Sequence, residues 1–127
     1  MQIRTSNYRN IDMIINRNYT PVSIDKQPPA DFKGLCIPEL APEPFLVAGA
    51  EKSTISVELF RVLYQKQLDR LSVTEIISKI IKGTGNQKRI CLVSNVETKK
   101  YCHRKILAEW LAKYGYYNHE LYSKNPT

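Results

Sequence analysis

The sequence predicts an α/β fold: a small three-layer domain with a mainly parallel sheet and helices on both faces. Three observations carry that expectation. Strand-like and helix-like stretches alternate along the 127 residues, the pattern of strands joined by helical crossovers. The run Ile90-Cys91-Leu92-Val93 is continuously apolar, as suits a strand covered on both faces. Serine N-caps and glycine stops punctuate the helical stretches. The length fits one core, so residues 1–127 read as a single domain.

Gln2 to Thr5 is read as the first strand. Ser6 offers an N-cap hydroxyl to a helix bearing Tyr8, Ile11, Ile14 and Ile15 at helical spacing. Tyr19 to Asp25 alternates Val22 and Ile24 with polar neighbours and is the second strand, with Pro21 placing its first residues at an edge. From Lys26 to Phe45, five prolines and Gly34 exclude regular helix. The apolar residues Phe32, Leu35, Ile37, Leu40 and Phe45 would make a large exposed patch if this stretch were loose. The proline-rich loop 26–45 is therefore expected to be ordered and to border the site.

Ser56 to Leu71 forms a helix with Val57, Phe60, Leu63, Tyr64 and Gln67 near one face. Ser72-Val73-Thr74-Glu75 is a capping box opening a helix with Ile76, Ile77, Ile80 and Ile81, closed by Lys82-Gly83. Gly83 to Asn86 is a turn, too short for a phosphate-binding loop. Lys88 to Ser94 is the third strand. The last helix runs from about Cys102 to Tyr114, with Ile106, Leu107, Trp110 and Leu111 inward and Gly115 closing it. Tyr116 to Tyr122 is read as a fourth strand and 123–127 as a flexible tail.

Hydrophobic residues make up 43% and charged ones 24%, the mix of a globular chain. No apolar run reaches membrane-spanning length and residues 1–20 lack a signal-peptide core, so a cytoplasmic protein without a membrane partner is expected. Cys36, Cys91 and Cys102 are odd in number, which suits reduced thiols. Residues 1–63 carry seven basic and seven acidic side chains, residues 64–127 twelve and five, so the second half holds the whole net charge of +7. Such a localised field attracts anions, from nucleotides to nucleic acid.

The reactive side chains concentrate in RICLVSNVETKKYCHRKILAEW, residues 89–110: a strand, a polar loop and a helix start. Binding crevices of α/β folds lie beyond the carboxyl ends of strands. Cys102 at a helix start, beside Lys99, Lys100 and Arg104, has the surroundings that favour a thiolate, although free cysteines also serve as buried packing. His103 is a candidate acid or base, yet it shares a helix face with Leu107 and Trp110 and reads first as a core histidine. Arg104 opposes the helix dipole and calls for an anion, either an internal carboxylate (Asp25, Glu97 or Glu120) or an external one. The external anion is the expectation, with Arg104→Ala leaving the fold intact. Thr5, Ser6, Ser23, Ser94 and Asn95, at strand exits, are the neutral donors expected around it.

These residues also carry a resemblance. Ile3-Arg4-Thr5-Ser6-Asn7-Tyr8, Pro21-Val22-Ser23-Ile24, Pro28-Pro29 with Phe32 and Gly34, Leu40-Ala41-Pro42, and Tyr101-Cys102-His103-Arg104 with Leu107-Ala108-Glu109-Trp110-Leu111 together resemble the domain of unknown function 488 family (DUF 488) in its short form. The resemblance implies a small α/β domain with a Cys-His-Arg site and brings no settled activity with it. Members typically show Leu-Cys-Tyr-Glu at the strand end before Cys-His-Arg. Here Ser94 stands in place of that cysteine and Val96 in place of the glutamate, with Glu97 adjacent. That puts in question any activity that runs through the carboxylate.

Three functions follow as expectations. The first is binding of a small anionic ligand, a nucleotide or nucleotide derivative, at the start of the last helix. The second is an enzyme acting on a nucleoside or nucleotide-like substrate through Cys102, with His103 or Glu97 handling protons. The third is a nucleic-acid or protein partner met by the basic second half. No cofactor or metal is expected. No nucleotide-binding glycine fingerprint is present, and adjacent Cys102-His103 does not offer two ligands to one ion.

Overall fold

Strand β4 (Arg89–Ser94) occupies the middle of a five-stranded, all-parallel sheet of order β3-β2-β4-β1-β5. The computed structural model describes residues 1–95 and 101–122. Around β4 lie β1 (Gln2–Asn7), β2 (Thr20–Ser23), β3 (Leu35–Cys36) and β5 (Asn118–Glu120). The helices are α1 (Ile11–Asn16), α2 (Pro44–Glu51), α3 (Val57–Asp69), α4 (Val73–Gly83) and α5 (His103–Lys113). No helix among the described residues is long and apolar enough to cross a membrane.

The alternation of β4 shows why the sheet needs cover on both sides. Ile90 and Leu92 join the larger core with Leu46, Tyr64, Leu68, Ile80 and Leu107, contributed by α2 to α5. Cys91 and Val93 join a smaller one with Ile14 of α1, Tyr19 and Leu121. Each such aliphatic side chain contributes roughly 1.5–3 kcal/mol by its burial. Strand order explains the two layers. The steps from β1 to β2 to β3 run one way along the sheet and those from β3 to β4 to β5 the other, so right-handed crossovers send their helices to opposite faces.

Several sequence expectations shift at their edges. The first strand runs on to Asn7, so Ser6 lies inside β1 and caps nothing. Asn7 caps the following 3-10 turn instead, its Oδ1 accepting from the Arg9 amide at 3.0 Å. The second strand is shorter than Tyr19–Asp25, and the fourth is confined to Asn118–Glu120. Pro21 is tolerated because β3 pairs only with Val22 and Ser23, which leaves the proline on the unpaired side of β2. Ser56 caps α3, accepting from the Leu59 amide at 3.1 Å. Ser72 caps α4, accepting from the Glu75 amide at 3.3 Å, while the return bond of a full capping box is not made.

The stretch 26–45 is more regular than its prolines suggest. It contains β3 and a 3-10 turn at Pro38–Leu40, and Pro44 opens α2. Proline is well suited to a helix's first position, where its missing donor would have had no partner. Gly34 permits a close crossing, since a Cβ there would lie 2.7 Å from the Pro21 carbonyl oxygen. Residues 123–127, read as a tail, lie outside the described residues.

Candidate functional site

The carboxyl ends of β1, β2, β4 and β5 meet the start of α5. There α1 leaves toward one face and α5 toward the other, which makes the β1/β4 boundary the place where strand order reverses. The polar residues at this edge form two clusters.

The first joins β1, β4 and β5 to α5. Arg104 grips Glu120 with both prongs of its guanidinium, Nε to Oε1 at 3.1 Å and NH2 to Oε2 at 2.9 Å. Its NH1 donates to Ser94 Oγ at 2.8 Å, and Thr5 Oγ1 donates to Glu120 Oε1 at 2.7 Å. Ser6 faces the other way, donating to the Leu121 carbonyl at 3.1 Å and accepting from Asn10 Nδ2 at 3.0 Å. The anion answering Arg104 is thus internal, correcting the expectation of an external one. A helix-start arginine that would oppose the dipole is neutralised by a carboxylate brought in by β5. Thr5, Ser6 and Ser94, expected as free donors, are all engaged within the protein. Asn95 is exposed, its amide donating to Asp25 Oδ2 at 3.0 Å.

The second cluster is centred on Asp25, two residues beyond the end of β2. Tyr8 donates to Asp25 Oδ2 at 2.9 Å, and its hydroxyl lies 2.7 Å from Ser23 Oγ. Ser23 Oγ in turn accepts from the Asp25 amide at 3.2 Å. Phe32 packs edge-on to Tyr8 with ring centroids 5.6 Å apart, so the proline-rich stretch touches this cluster. His103 Nε2 stands 3.2 Å from Asp25 Oδ1, within charge-pairing distance, yet the N–H is not aligned for a hydrogen bond. Both observations hold together: the groups are neighbours, and this nitrogen, on a residue 3% exposed, lacks a hydrogen-bond partner among the described residues.

Cys102 is the N-cap residue of α5 and partly exposed, with no side-chain capping bond. Its surroundings differ from those of Cys91, whose thiol burial pushes up to about 12 and so keeps protonated. Tyr64 of α3 stacks edge-on against His103 at 5.9 Å and donates to the Leu40 carbonyl at 2.5 Å. Burial first, then the neighbouring Asp25 and Cys102, hold its hydroxyl well above the ordinary tyrosine range. Tyr8 is shifted the same way, chiefly by burial.

Cys102, His103, Ser23 and Asn95 therefore gather around Asp25 or beside it, whereas Thr5, Ser94 and Arg104 belong to the Glu120 cluster. Glu97, the remaining catalytic candidate, lies outside the described residues, as do Val96, Lys99 and Lys100. Sequence reasoning missed the role of Tyr8, which directly follows β1, and weighed Asp25 only as a partner for Arg104. Tyr64 carried no signal beyond core periodicity.

Fold and site together define a parallel α/β domain whose polar groups converge at the point where strand order reverses. The family model of DUF488-N3a, the active DUF488-N3 subclade, matches residues 3–115. The chain belongs to this family. No curated protein and no solved structure matches it. Glu120, which answers Arg104, lies beyond the matched residues.

Proposed function

We propose that this chain is a cytoplasmic protein that binds a small anionic ligand of the nucleotide class at the mouth of α5. The ligand lies over the Tyr8–Asp25–His103 cluster and beside Cys102. The observation that supports this reading most is the coincidence of three features at one spot: the reversal of strand order, the start of α5, and a buried histidine nitrogen without a hydrogen-bond partner among the described residues. Arg104 is not the anchor. A ligand here draws on the helix's positive end, His103, and the side-chain amide of the exposed Asn95.

Ligand binding at this place predicts that protein purified natively carries, or is stabilised by, a nucleotide-like molecule. Mass spectrometry of the released small molecules and melting curves against a panel of mono- and dinucleotides test it. A gain of about 2.7 kcal/mol is expected at a hundred-fold excess over Kd. A panel that leaves the melting temperature unmoved, with nothing released, would count against the reading. Loss of the gain in Asn95→Ala and His103→Phe would locate the ligand.

A second reading is supported by the position of Cys102 at a helix N-terminus, partly exposed and next to His103 of the His103–Asp25 pair, and by the match to the active subclade of the family. In it Cys102 is a nucleophile toward a nucleotide-like substrate, with His103 moving the proton. Timed alkylation followed by peptide mapping separates the two readings. Chemistry at Cys102 requires it to be modified faster than the more exposed Cys36 and to be protected by ligand.

A further inference from the structure

The two faces of the sheet are covered unequally. Helices α2 to α5 supply the larger core on one face, while the other has α1 alone, six residues long and lying chiefly against β2. On the β1–β5 half of that second face Gln2 and His119 are exposed, whereas Ser6 and Leu121 at its carboxyl end are buried. Side-chain alternation sends Gln2 and Arg4 of β1, Arg89 of β4 and His119 of β5 there, because Gln2 pairs with Arg89, and Arg4 with both Cys91 and His119.

The arginines on this face are held in place by neutral groups. Arg89 lies over the Tyr19 ring at 4.1 Å, and Arg4 stands 5.7 Å from the same ring. Arg89 also donates to Gln2 Oε1 at 2.8 Å and to the Arg17 carbonyl at 2.9 Å, and its Nε has no partner among the described residues. Every described ion pair lies elsewhere, so no described carboxylate pairs with Arg4, Arg17 or Arg89. Tyr117, two residues before His119, is 79% exposed.

Guanidinium groups held on an aromatic ring and by neutral oxygens, with no described carboxylate beside them, leave their positive charge unneutralised at this face. Phosphates spaced along a strand are a fitting partner, and an exposed tyrosine at the rim adds a stacking platform for a base. We propose that the open amino-terminal part of the β1–β5 half of the sheet binds single-stranded nucleic acid, with Arg4 and Arg89 at phosphates and Tyr117 under a base. This surface is separate from the crevice at the start of α5 and does not depend on what that crevice holds. An acidic protein would use the same arginines but would have no use for the ring of Tyr117.

Fluorescence anisotropy with a short labelled oligouridylate, titrated at several salt concentrations, tests the proposal on the full chain. Tyr117→Ala should weaken binding about tenfold and Tyr117→Phe should restore it. Arg4→Gln should weaken binding and lower the slope of log K against log salt by about 1. Circular dichroism establishes that each variant is folded, and Cys102→Ser should bind as the unaltered protein does. The proposal fails if the unaltered protein ignores the oligonucleotide at low salt. It fails equally if Tyr117→Ala binds undiminished, which would leave a surface for polyanions or acidic proteins. It fails also if Lys66→Gln on the helix-covered face costs as much as Arg4→Gln.

Discussion

The two polar clusters at the carboxyl edge contain similar residue types and differ in how completely they are satisfied. Around Glu120, both prongs of an arginine and a threonine hydroxyl close on one carboxylate, and a serine hydroxyl accepts from the arginine's remaining nitrogen. Around Asp25, Oδ2 is held twice while the contact from Oδ1 to His103 lacks hydrogen-bond alignment. The first cluster ties β5 and β4 to the start of α5 and behaves as structure. The second leaves a buried polar atom without a hydrogen-bond partner among the described residues, which native proteins rarely do without a reason. Polar residues gathered at a strand end do not mark a site by themselves; incomplete satisfaction is the more telling sign.

Mutations should separate the clusters clearly. Arg104→Ala removes a bidentate partner from a carboxylate that is three-quarters buried, and should destabilise the protein by about 2–4 kcal/mol without any ligand present. Urea denaturation measures it, and a change below half a kcal/mol would show that the Glu120 cluster is not structural. This reverses the expectation drawn from sequence, where Arg104 was matched with an outside anion.

A smaller effect distinguishes buried neutral groups from the Glu120 cluster by pH. Burial holds Cys91 and Tyr8 in their neutral forms, with folded pKa values above the unfolded ones. Their contribution to stability is therefore complete below pH 9 and declines as pH rises toward the folded values. For Cys91 the loss should be on the order of 1 kcal/mol by pH 10, and Cys91→Ala should flatten that part of the curve. The ion pair of Arg104 should be indifferent over the same range, because arginine does not titrate there. Melting temperatures between pH 8 and 11 for the two variants decide it.

The smallest change belongs to His103→Phe. Replacing a buried ring nitrogen that has no hydrogen-bond partner among the described residues by an apolar ring of similar shape should alter stability by less than about 1 kcal/mol in either direction. Yet the same variant should lose ligand stabilisation at the α5 mouth. A loss comparable with that of Arg104→Ala would mean that Asp25 and His103 form an ordinary structural pair, and the contrast between the clusters would disappear.

Most of the fold was legible because its signals are local. The unbroken Ile90–Val93 run located the central strand, and Ser56 and Ser72 located two helix starts to the residue. The helix α2 was hidden by Pro44, since a proline that excludes a helix's interior also favours its first turn. The two-residue β3 was illegible because it has no pattern of its own; it exists through pairing with Val22 and Ser23 and through the close approach allowed by Gly34. At the site, Cys102-His103-Arg104 was visible as a string, but three adjacent residues on a helix point in three directions. Only the fold shows that His103 turns toward Asp25 and Arg104 toward Glu120, whose charges are contributed by distant strands.

The strand order has a kinetic consequence. β1, formed by the first residues of the sequence, finds its partner Arg89 eighty-seven residues later, and its other neighbour at Glu120 is more distant still. No pairing of β1 can form between adjacent segments, so the centre of the sheet waits for the closure of long loops. Folding should therefore be slow for a chain of this size. The helices can form early, but the groups at the mouth of α5 have no fixed geometry until β1, β4 and β5 have come together, which places the assembly of that crevice among the last events of folding.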